Sequence, residues 1–194
     1  MPGGSDRLSP GQVDTVLEAA VLGAAWAFEA LYRHFAPAVV GYLRVQGVWD
    51  PEDLSSEVFL AVFQGLSAFT GGAGEFRTWL FAITYRKVID DRRRSSRRPL
   101  PAGSAGAVAA ASGDDTESAV LAGLEAERVA QLCQQLSADQ RDVILLRLLG
   151  DLSVEETASA IGKSASAVNA LQHRGLQALK KVLNSEISAQ AAWQ

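Results

Sequence analysis

Helix-start signals recur along this sequence, and they restrict it to an all-α fold. A serine or aspartate that suits the N-cap position precedes an apolar helical period at Ser9, Asp50, Ser137 and Ser153. Each of the three serines is followed three residues later by Gln or Glu, which completes a capping box. Because no segment alternates between apolar and polar residues for long, no sheet is expected. We predict two small helical domains, joined by a flexible linker.

The first part of the chain is expected to contain five helices. The second of them should end near Pro37, since proline lacks the N–H that a helix interior needs, and a third should start near Val39. A fourth should begin directly after Asp50. Glycines between residues 71 and 74 should break the chain before a fifth helix, which is expected to begin near Phe76.

Residues 99–120 are expected to form the linker between the domains. Proline, glycine, alanine and serine dominate this segment, and no apolar helical period runs through it. The N-terminal domain is therefore predicted to span residues 1–98, and the C-terminal domain residues 121–194.

The C-terminal domain contains a candidate helix-turn-helix. A short helix after Ser153 should end at Gly162, and the next helix contains SAVNALQHRGLQALKK, residues 166–181. One side of that helix is apolar and is expected to pack: Val168, Leu171, Leu176 and Leu179. The opposite side is polar, so this segment alone leaves two possibilities open, a solvated face or a face that contacts DNA bases.

Residues 86–98, RKVIDDRRRSSRR, form a strongly basic segment. Seven positive and two negative side chains give a local net charge of +5. A few cations would suffice to complement the negative end of a helix dipole, so the excess indicates a surface that binds phosphates. Aromatic rings upstream suit single-stranded DNA, because bases stack on them. Phe69 and Phe76 flank the glycine-rich loop and are expected to meet an unstacked base, whereas Trp79 is expected in the core.

The cysteine and histidine content argues against several kinds of site. A single cysteine, Cys133, rules out an internal disulfide framework, and its apolar neighbours at helical spacing predict a small buried hydrophobe. Only His34 and His173 accompany it, so we expect neither a metal site nor a cofactor. The sequence also shows no nucleophile–base set and no phosphate loop, and we therefore expect no enzymatic activity.

Targeting signals and net charge indicate where the protein acts and what kind of surface it has. The sequence begins without a signal-peptide pattern and contains no apolar run long enough to cross a bilayer, so we expect a cytoplasmic protein without membrane insertion. The net charge of −4 argues against a uniformly basic surface. Local basic patches remain possible, and these determine phosphate binding.

Four segments, taken in order, carry more information than any single motif. They are FEALYRHFAPAVVGYLR, DPEDLSSEVFLAVF, FRTWLFAITYRKVIDDRRR and LSADQRDVILLRLLGDLSVEETASAIGKSASAVNALQHRGLQALKK. Together they resemble the bacterial sigma factors of the extracytoplasmic-function (ECF) group of the sigma-70 family. The resemblance runs from about residue 24 to residue 184 and is split by the predicted linker.

The resemblance implies a transcription initiation factor without catalytic residues of its own. Its expected partners are core RNA polymerase and promoter DNA, both as duplex and as melted non-template strand. The first domain would melt and read the −10 element, and the second would read the −35 element. An anti-sigma protein often holds such factors inactive, although nothing in this sequence identifies one.

The resemblance also implies a set of site residues. Those expected to dock on polymerase are Asp53, Ser56 and Glu57. Those expected to bind the −10 element, with Phe76 and Arg77 near a flipped base, are Phe69, Phe76, Arg77, Arg86, Lys87, Arg93 and Arg94. Those expected to bind the −35 element are Lys163, Ser164, Ser166, Asn169, His173 and Arg174.

Two positions depart from the usual family pattern. Arg86 stands where the family often has asparagine, so the preferred −10 bases do not follow from the family. Asn169 stands where the family often has a basic residue. Because asparagine can bond an adenine edge with two hydrogen bonds, we expect fewer phosphate contacts and more base reading there.

Two other functions remain open from the sequence. A helix-turn-helix regulator that acts on duplex DNA without polymerase would explain residues 137–184, but not DPEDLSSEVFL or the aromatic and basic helix. A purely structural helical adaptor would make the basic residues dispensable.

Overall fold

The computed structural model describes residues 8–95, the first half, and residues 127–191, the second half; both consist of helices and turns without a strand. Helices α1 to α4 are Pro10–Val21, Ala25–Val45, Pro51–Gly65 and Ala73–Ser95, with a 3₁₀ turn at Leu66–Ala68. Helix α5 covers 127–134, and α6 to α8 are Ala138–Leu148, Val154–Ile161 and Ala165–Ala191. The all-α prediction is confirmed for these residues. The predicted linker, its boundaries at 98 and 121, Arg97 and Arg98 lie outside the described residues.

The helix starts predicted from capping residues, directly after Ser9, Asp50, Ser137 and Ser153, are confirmed, and side-chain hydrogen bonds explain them. At the start of α7, the Glu156 backbone N–H donates to Ser153 Oγ at 3.1 Å, and the Ser153 N–H donates to Glu156 Oε2 at 2.6 Å. The bond from the Ser153 N–H lowers the pKa of the Glu156 carboxyl. At the start of α3, Asp50 accepts a bond from the Asp53 N–H at 2.9 Å. Each bond satisfies an N–H group that the first helical turn leaves without a partner.

The predicted break near Pro37 is wrong, because α2 continues through the proline. Pro37 removes one N–H donor and leaves the Arg33 carbonyl without its helical partner. Both residues are exposed, so water can bond this carbonyl. On the opposite side, Leu31, Phe35 and Val39 are buried in one core. Packing on both sides of the proline therefore outweighs the lost hydrogen bond.

Helix α4 begins at Ala73, three residues before the predicted start near Phe76. Gly72 precedes it and has no side chain that could accept a hydrogen bond from the first turn. Instead, Asp14 of α1 accepts a hydrogen bond from the Ala73 N–H at 2.6 Å, and Glu75 accepts one from the Gly72 N–H at 3.1 Å. A tertiary contact thus supplies the cap, which a search for local capping patterns does not detect.

One apolar core runs through both halves of the described chain. Leu146 and Leu152 of the second half belong to the same buried cluster as Leu80 and Phe81 of α4. Cys133 also lies in this cluster, and burial raises the pKa of its thiol. The prediction that Cys133 is a small buried hydrophobe is confirmed.

Helices α7 and α8 form the predicted helix-turn-helix. Gly162 ends α7 with φ +66°, a left-handed conformation that glycine adopts without strain. Ser164 Oγ accepts a bond from the Ala167 N–H at 3.2 Å and caps α8. Val143 of α6 and Val168 of α8 are fully buried in the small core that joins these helices.

The predicted packing side of α8 is confirmed at Val168, which is fully buried, and at Leu171, which packs against the same small core, but not at Leu176. Leu176 was expected to pack, but 49% of its surface is exposed. The contact side passes through Val168 and Gly175, both buried. At Gly175 the helices approach closely, since a Cβ there would lie 2.6 Å from Ile144 Cδ1 of α6. Helix α8 continues to Ala191, well beyond the helix-turn-helix segment.

Gly150→Ala should lower the free energy of unfolding by about 1–3 kcal/mol, as overpacking of a close-packed site does. The added Cβ would lie 2.6 Å from the Leu146 carbonyl oxygen, a backbone atom, and 3.3 Å from Phe81 Cγ. Gly11→Ala is the control, because nothing lies within 4 Å of its Cβ. That variant should leave the free energy of unfolding unchanged or raise it by up to about 1 kcal/mol. Urea unfolding followed by far-UV circular dichroism measures both, and equal midpoints would contradict this packing.

Candidate nucleic-acid interface

Helix α4 contributes one side to the core, and this side includes a predicted site residue. Phe76, Leu80, Thr84 and Val88 have no exposed surface. The ring of Phe76 lies 5.4 Å, between centroids, from that of Phe35. The prediction that Phe76 meets an unstacked base does not fit this burial, since no face of its ring is open to a base. Its place four residues before Leu80 on one helical line was the signal for a core position.

A pair of aromatic rings lies at the edge of this core instead. The rings of Phe69, in the loop, and Trp79, on α4, are stacked with centroids 5.1 Å apart and an angle of 25° between the planes. Both residues are partly exposed and pack against the main core, so the expectation of Trp79 in the core is confirmed for the side of its ring that faces inwards. The Trp79 ring lies over Gly65 of α3, where a Cβ would come within 3.0 Å of it. The loop therefore offers a ring stack at the surface, close to the basic part of α4.

A shallow groove of about 350 Å³ between α3 and α4 begins at this stack. Its lining residues are Ala61, Trp79, Ile83, Arg86, Lys87 and Asp90. Arg86 is exposed, and its Nε donates to the Ala82 carbonyl at 3.1 Å. Further along the helix, Arg93 and Arg94 are exposed, and Arg93 lies 3.8 Å from Asp90. Four predicted −10 residues thus follow the groove and its basic end: Arg86, Lys87, Arg93 and Arg94.

An ion pair connects this groove with the predicted docking helix. Lys87 Nζ donates to Glu57 Oε2 at 2.7 Å, which joins a predicted −10 residue to a predicted polymerase-docking residue. The hydrogen bond from Lys87 lowers the pKa of the Glu57 carboxyl. Burial opposes this shift, and the charges of Lys87 and Arg94 add to it. The two predicted sites therefore share a charged contact.

The other predicted docking residues lie on the outer side of α3. Asp53 and Ser56 are exposed, and Glu57 is partly exposed. Leu60, one turn further on, is 59% exposed and was missed by the sequence analysis. Its position outside the buried line of Leu54 and Val58 was the available signal. An apolar centre with a polar rim is the usual anatomy of a protein–protein interface, and Leu60 among these polar side chains has that form.

The opposite side of α4 points towards the second half of the chain. Arg77, expected near a flipped base, instead pairs with Asp151, with Nη1 2.6 Å from Oδ2. Arg92 donates to both carboxylate oxygens of Asp142, at 2.9 and 3.2 Å, and to Gln46 Oε1 at 2.5 Å. Burial disfavours the charged guanidinium, but the bond and charge of Asp142 outweigh it and raise the pKa of Arg92. These two arginines are engaged within the protein.

The predicted −35 residues lie at the start of α8 and just before it. Ser166, Asn169 and His173 are exposed along one line of the helix, and His173 Nε2 lies 3.2 Å from Gln177 Nε2. The exposed Arg174 donates from Nε to its own helix, at the Ala170 carbonyl. Ser164 is used as the helix cap, within 3.0 Å of the Ser166 hydroxyl. Lys163 is partly buried and donates to Asp139 at 3.1 Å.

The candidate interface therefore consists of side chains on α3, α4 and α8, with Phe69 from the loop before α4 and two residues from the turn before α8. Over residues 8–95 and 127–191, no group of three or more His, Cys, Asp or Glu side chains is arranged to hold a metal ion. None of the helices in those ranges has both the length and the apolar character of a membrane span.

This arrangement indicates a class: an all-α protein with two candidate nucleic-acid surfaces, one a basic helix beside partly exposed rings and the other a helix-turn-helix. Comparison with known proteins gives the same class. The family model of sigma-70 region 2 matches residues 31–98, and that of sigma-70 region 4 matches residues 126–179. The chain belongs to the ECF group of RNA polymerase sigma factors, which are transcription initiation factors of the sigma-70 family.

Individual relatives align with most of the chain. The ECF sigma factor SigD of Mycobacterium tuberculosis is 32% identical over 176 residues, which cover 87% of this chain and 82% of SigD. The ECF sigma factor BldN of Streptomyces coelicolor is 33% identical over 171 residues, and the chain spans only 64% of its length. Among solved structures, CnrH in complex with the cytosolic domain of CnrY superposes with a TM-score of 0.66 at 26% identity. That match covers 89% of this chain and 98% of CnrH.

Lys87→Gln should raise the pKa of the Glu57 carboxyl towards its usual range, because Lys87 provides the main bond that lowers it. Lys163→Gln is the matched control and should leave Glu57 unchanged, since Lys163 pairs with Asp139. Carboxyl chemical shifts from an NMR titration measure both. In the wild type, a lowered pKa means that the pair stabilises the fold above the unfolded-state pKa of Glu57. This contribution disappears as the pH falls through the folded-state pKa, and an unshifted Glu57 in Lys87→Gln would contradict the contact.

Proposed function

We propose that this sigma factor binds core RNA polymerase through α3 and directs it to promoters through α4 at the −10 element and α8 at the −35 element. The observation that carries the proposal is the pair of separate faces in the two matched regions: a ring stack with a basic helix end, and the polar side of a recognition helix. RNA synthesis itself is left to the polymerase, and the chain acts where polymerase acts, in the cytoplasm. The N-terminal domain, residues 1–98, and the C-terminal domain, residues 121–194, carry one face each.

At the −10 element, the stack of Phe69 and Trp79 is the platform for an unpaired base. Flipping a base out of the duplex costs a few kcal/mol, and stacking on an aromatic side chain returns roughly 1–3 kcal/mol. Cationic side chains must supply the rest by holding the strand. Arg86 and Lys87 lie along the groove next to the stack, and Arg93 and Arg94 extend the basic surface. Phe76 is left out of this proposal because it is buried.

At the −35 element, α8 enters the major groove with its exposed polar side facing the bases. Ser166, Asn169 and His173 lie in its first turns, where a recognition helix contacts base edges. Arg174, Lys163 and Ser164 lie beside this line and are assigned to the phosphates. Asn169 is the residue best suited to select a base, because its amide can accept from and donate to one adenine edge.

Polymerase docking is assigned to the outer side of α3. Asp53, Ser56 and Glu57 provide a polar and negative surface, and Leu60 provides an apolar centre. Exposed leucine on an otherwise well-packed helix costs little in the free chain and becomes favourable when a partner covers it. A basic partner surface with an apolar pocket fits this combination.

A regulatory protein is a further proposed partner. The structure of CnrH was determined with the cytosolic domain of CnrY bound. By analogy with that relative, an anti-sigma protein is proposed to bind this chain as well. The analogy concerns the kind of partner, since the chain itself carries no residue pattern that identifies one.

Reconstitution with core polymerase tests the proposed function. The purified chain and core polymerase should give promoter-specific transcripts, and Arg93→Ala with Arg94→Ala should reduce open-complex formation by at least about tenfold, because the strand loses two phosphate contacts. Arg33→Ala with Arg44→Ala on α2 is the charge-matched control. Permanganate footprinting detects the melted strand. A chain that binds promoter duplex without polymerase would support the regulator instead, and unchanged opening in the variant would support the adaptor.

Asn169 and Arg174 should give opposite effects at the −35 element. Asn169→Ala should reduce the discrimination between bases at one position by roughly 1–3 kcal/mol. Binding to sequences with other bases at that position should change little. Arg174→Ala should weaken binding to all −35 sequences by the same factor. It should also reduce the slope of log binding constant against log salt concentration by about one unit. Competition binding of the holoenzyme to −35 variants at several salt concentrations measures both. If the two variants gave the same profile, the division into base and phosphate contacts would be wrong.

A further inference from the structure

Helix α1 lies outside the residues that the sigma-70 family models match, yet it is firmly packed in the first half of the chain. The match to region 2 begins at residue 31, whereas α1 ends at Val21. Val13, Leu17 and Ala20 of α1 are almost fully buried in the main core. The helix also contacts α4 and the 3₁₀ turn that precedes α4. Apolar packing therefore fixes the position of α1 beside the loop that joins this turn to α4.

This loop, residues 69–72, carries one ring of the stack formed by Phe69 and Trp79. At its first end, the Phe69 N–H donates to the Leu66 carbonyl at 3.0 Å. In its middle, Gly71 has φ +145°, a conformation that residues with a side chain rarely adopt, and glycine gives a loop many alternative conformations. Trp79 is placed by α4, whereas Phe69 is placed by the loop. The geometry of the ring stack therefore depends on what holds the second end of the loop.

Asp14 of α1 holds that second end. Its Oδ1 atom accepts a hydrogen bond from the Ala73 N–H at 2.6 Å, although the two residues are 59 positions apart in the chain. A carboxylate in this place also complements the positive end of the α4 dipole. Gly72 leaves room for it, since a Cβ on Gly72 would lie 3.1 Å from Asp14 Oδ1. Glu75 adds a local bond from the Gly72 N–H, whereas Asp14 ties the loop to a different helix.

An aromatic platform binds an unpaired base best when it is ordered before the base arrives. Order that the loop acquires only on binding costs conformational entropy, and this cost lowers the affinity for the base. A hydrogen bond to a charged group typically changes such an equilibrium by roughly tenfold or more. Without the bond to Asp14, the cost of ordering the loop would fall on DNA binding instead of on folding.

We propose that Asp14 is a positioning residue for promoter opening: it fastens the loop to α1, so that Phe69 is stacked on Trp79 before an unpaired base of the −10 element arrives. Asp14 acts through the loop and not by contact with DNA. Helix α1 thereby becomes part of the −10 reader. The role in opening rests on the proposed function, whereas the order of the loop is a property of the free chain and can be measured without polymerase.

Amide hydrogen exchange in the free full-length chain, followed by NMR, tests the order of the loop. In Asp14→Ala the Ala73 amide should exchange about tenfold faster than in the wild type, because its acceptor is removed. Asp14→Asn keeps a carbonyl oxygen that can accept the bond, so its exchange rate should lie between the two. Glu18→Ala is the matched control and should leave the rate unchanged. It removes a carboxylate from the next turn of α1, beside the same cavity that Asp14 and Gly72 line.

Promoter opening by the holoenzyme tests the positioning role. A fluorescent adenine analogue, placed in turn at each position of the −10 non-template strand, identifies the base that stacks on the rings. Permanganate footprinting then measures the open complex on the intact promoter and on one with an abasic site at that position. Asp14→Ala should lower opening about tenfold on the intact promoter but less than about twofold on the abasic one, because a preformed stack helps only when a base is present.

A purely structural effect of Asp14 would lower opening on both promoters by the same factor. Ser153→Ala is the control for a lost helix cap, because it removes the cap of α7 in the second half and should leave the Ala73 amide and the ratio between the two promoters unchanged. Far-UV circular dichroism checks folding. The Asp14 side chain is exposed, and if Asp14→Ala fails to fold, Asp14→Asn decides the outcome.

Each contrary outcome overturns a definite part of the proposal. An unchanged exchange rate of the Ala73 amide in Asp14→Ala would show that Asp14 does not hold the loop. Faster exchange with unchanged opening would show that the loop need not be ordered in advance. Equal losses on the intact and abasic promoters would overturn the positioning role. A wild-type holoenzyme that makes no promoter-specific transcript would overturn the proposed function, and with it the role in opening, while hydrogen exchange still decides whether Asp14 orders the loop.

Discussion

The burial of one side of α4 is the interaction on which the other features depend. Phe76, Leu80, Thr84 and Val88 have no exposed surface, so this side fixes the rotation of the helix about its axis. Once the rotation is fixed, the remaining sides face defined neighbours. One carries Lys87 towards α3, and the other carries two arginines towards the second half. The same apolar contacts that stabilise the fold thereby determine which cations are exposed.

The protein has a net charge of −4, although its proposed DNA contacts are made by cationic side chains. Several of these cations are paired with carboxylates in the free chain. Lys87, Arg77, Arg92 and Lys163 each lie beside a carboxylate in the free chain. These pairs differ in strength, because exposed pairs are weak and screened by salt, whereas the carboxylate of Asp142 is almost fully buried. Nucleic acid therefore meets a surface in which some cations are available at little cost and others must first leave a partner.

Local patterns in the sequence predicted the local structure well. Capping residues identified helix starts at Ser9, Asp50, Ser137 and Ser153, because their hydrogen bonds join residues three apart. The glycine turn before α8 was equally accessible, since Gly162 adopts a conformation that few other residues tolerate. The family resemblance then placed these helices in order.

Features that depend on distant contacts were not accessible in the same way. Helix α2 continues through Pro37 because the core holds both sides of it, and α4 starts early because Asp14 provides a cap. Within the candidate site, the exposed residues of α8 could be predicted from helical periodicity. The stacking of Phe69 on Trp79 could not, because it depends on the conformation of the loop. The pairing of Arg92 with Asp142 joins residues 50 positions apart and has no local pattern at all.

The contact between Glu57 and Lys87 makes the two sides of the α3–α4 groove thermodynamically dependent on each other. A protein partner that engages the Glu57 carboxylate releases the Lys87 ammonium, which then becomes available to a DNA strand. Reciprocity of linked equilibria requires the converse as well: a strand that engages Lys87 releases Glu57 for the partner, by the same factor. With the proposed roles of these side chains, Glu57 in docking and Lys87 in holding the strand, their contact would make assembly with polymerase and capture of the strand cooperative.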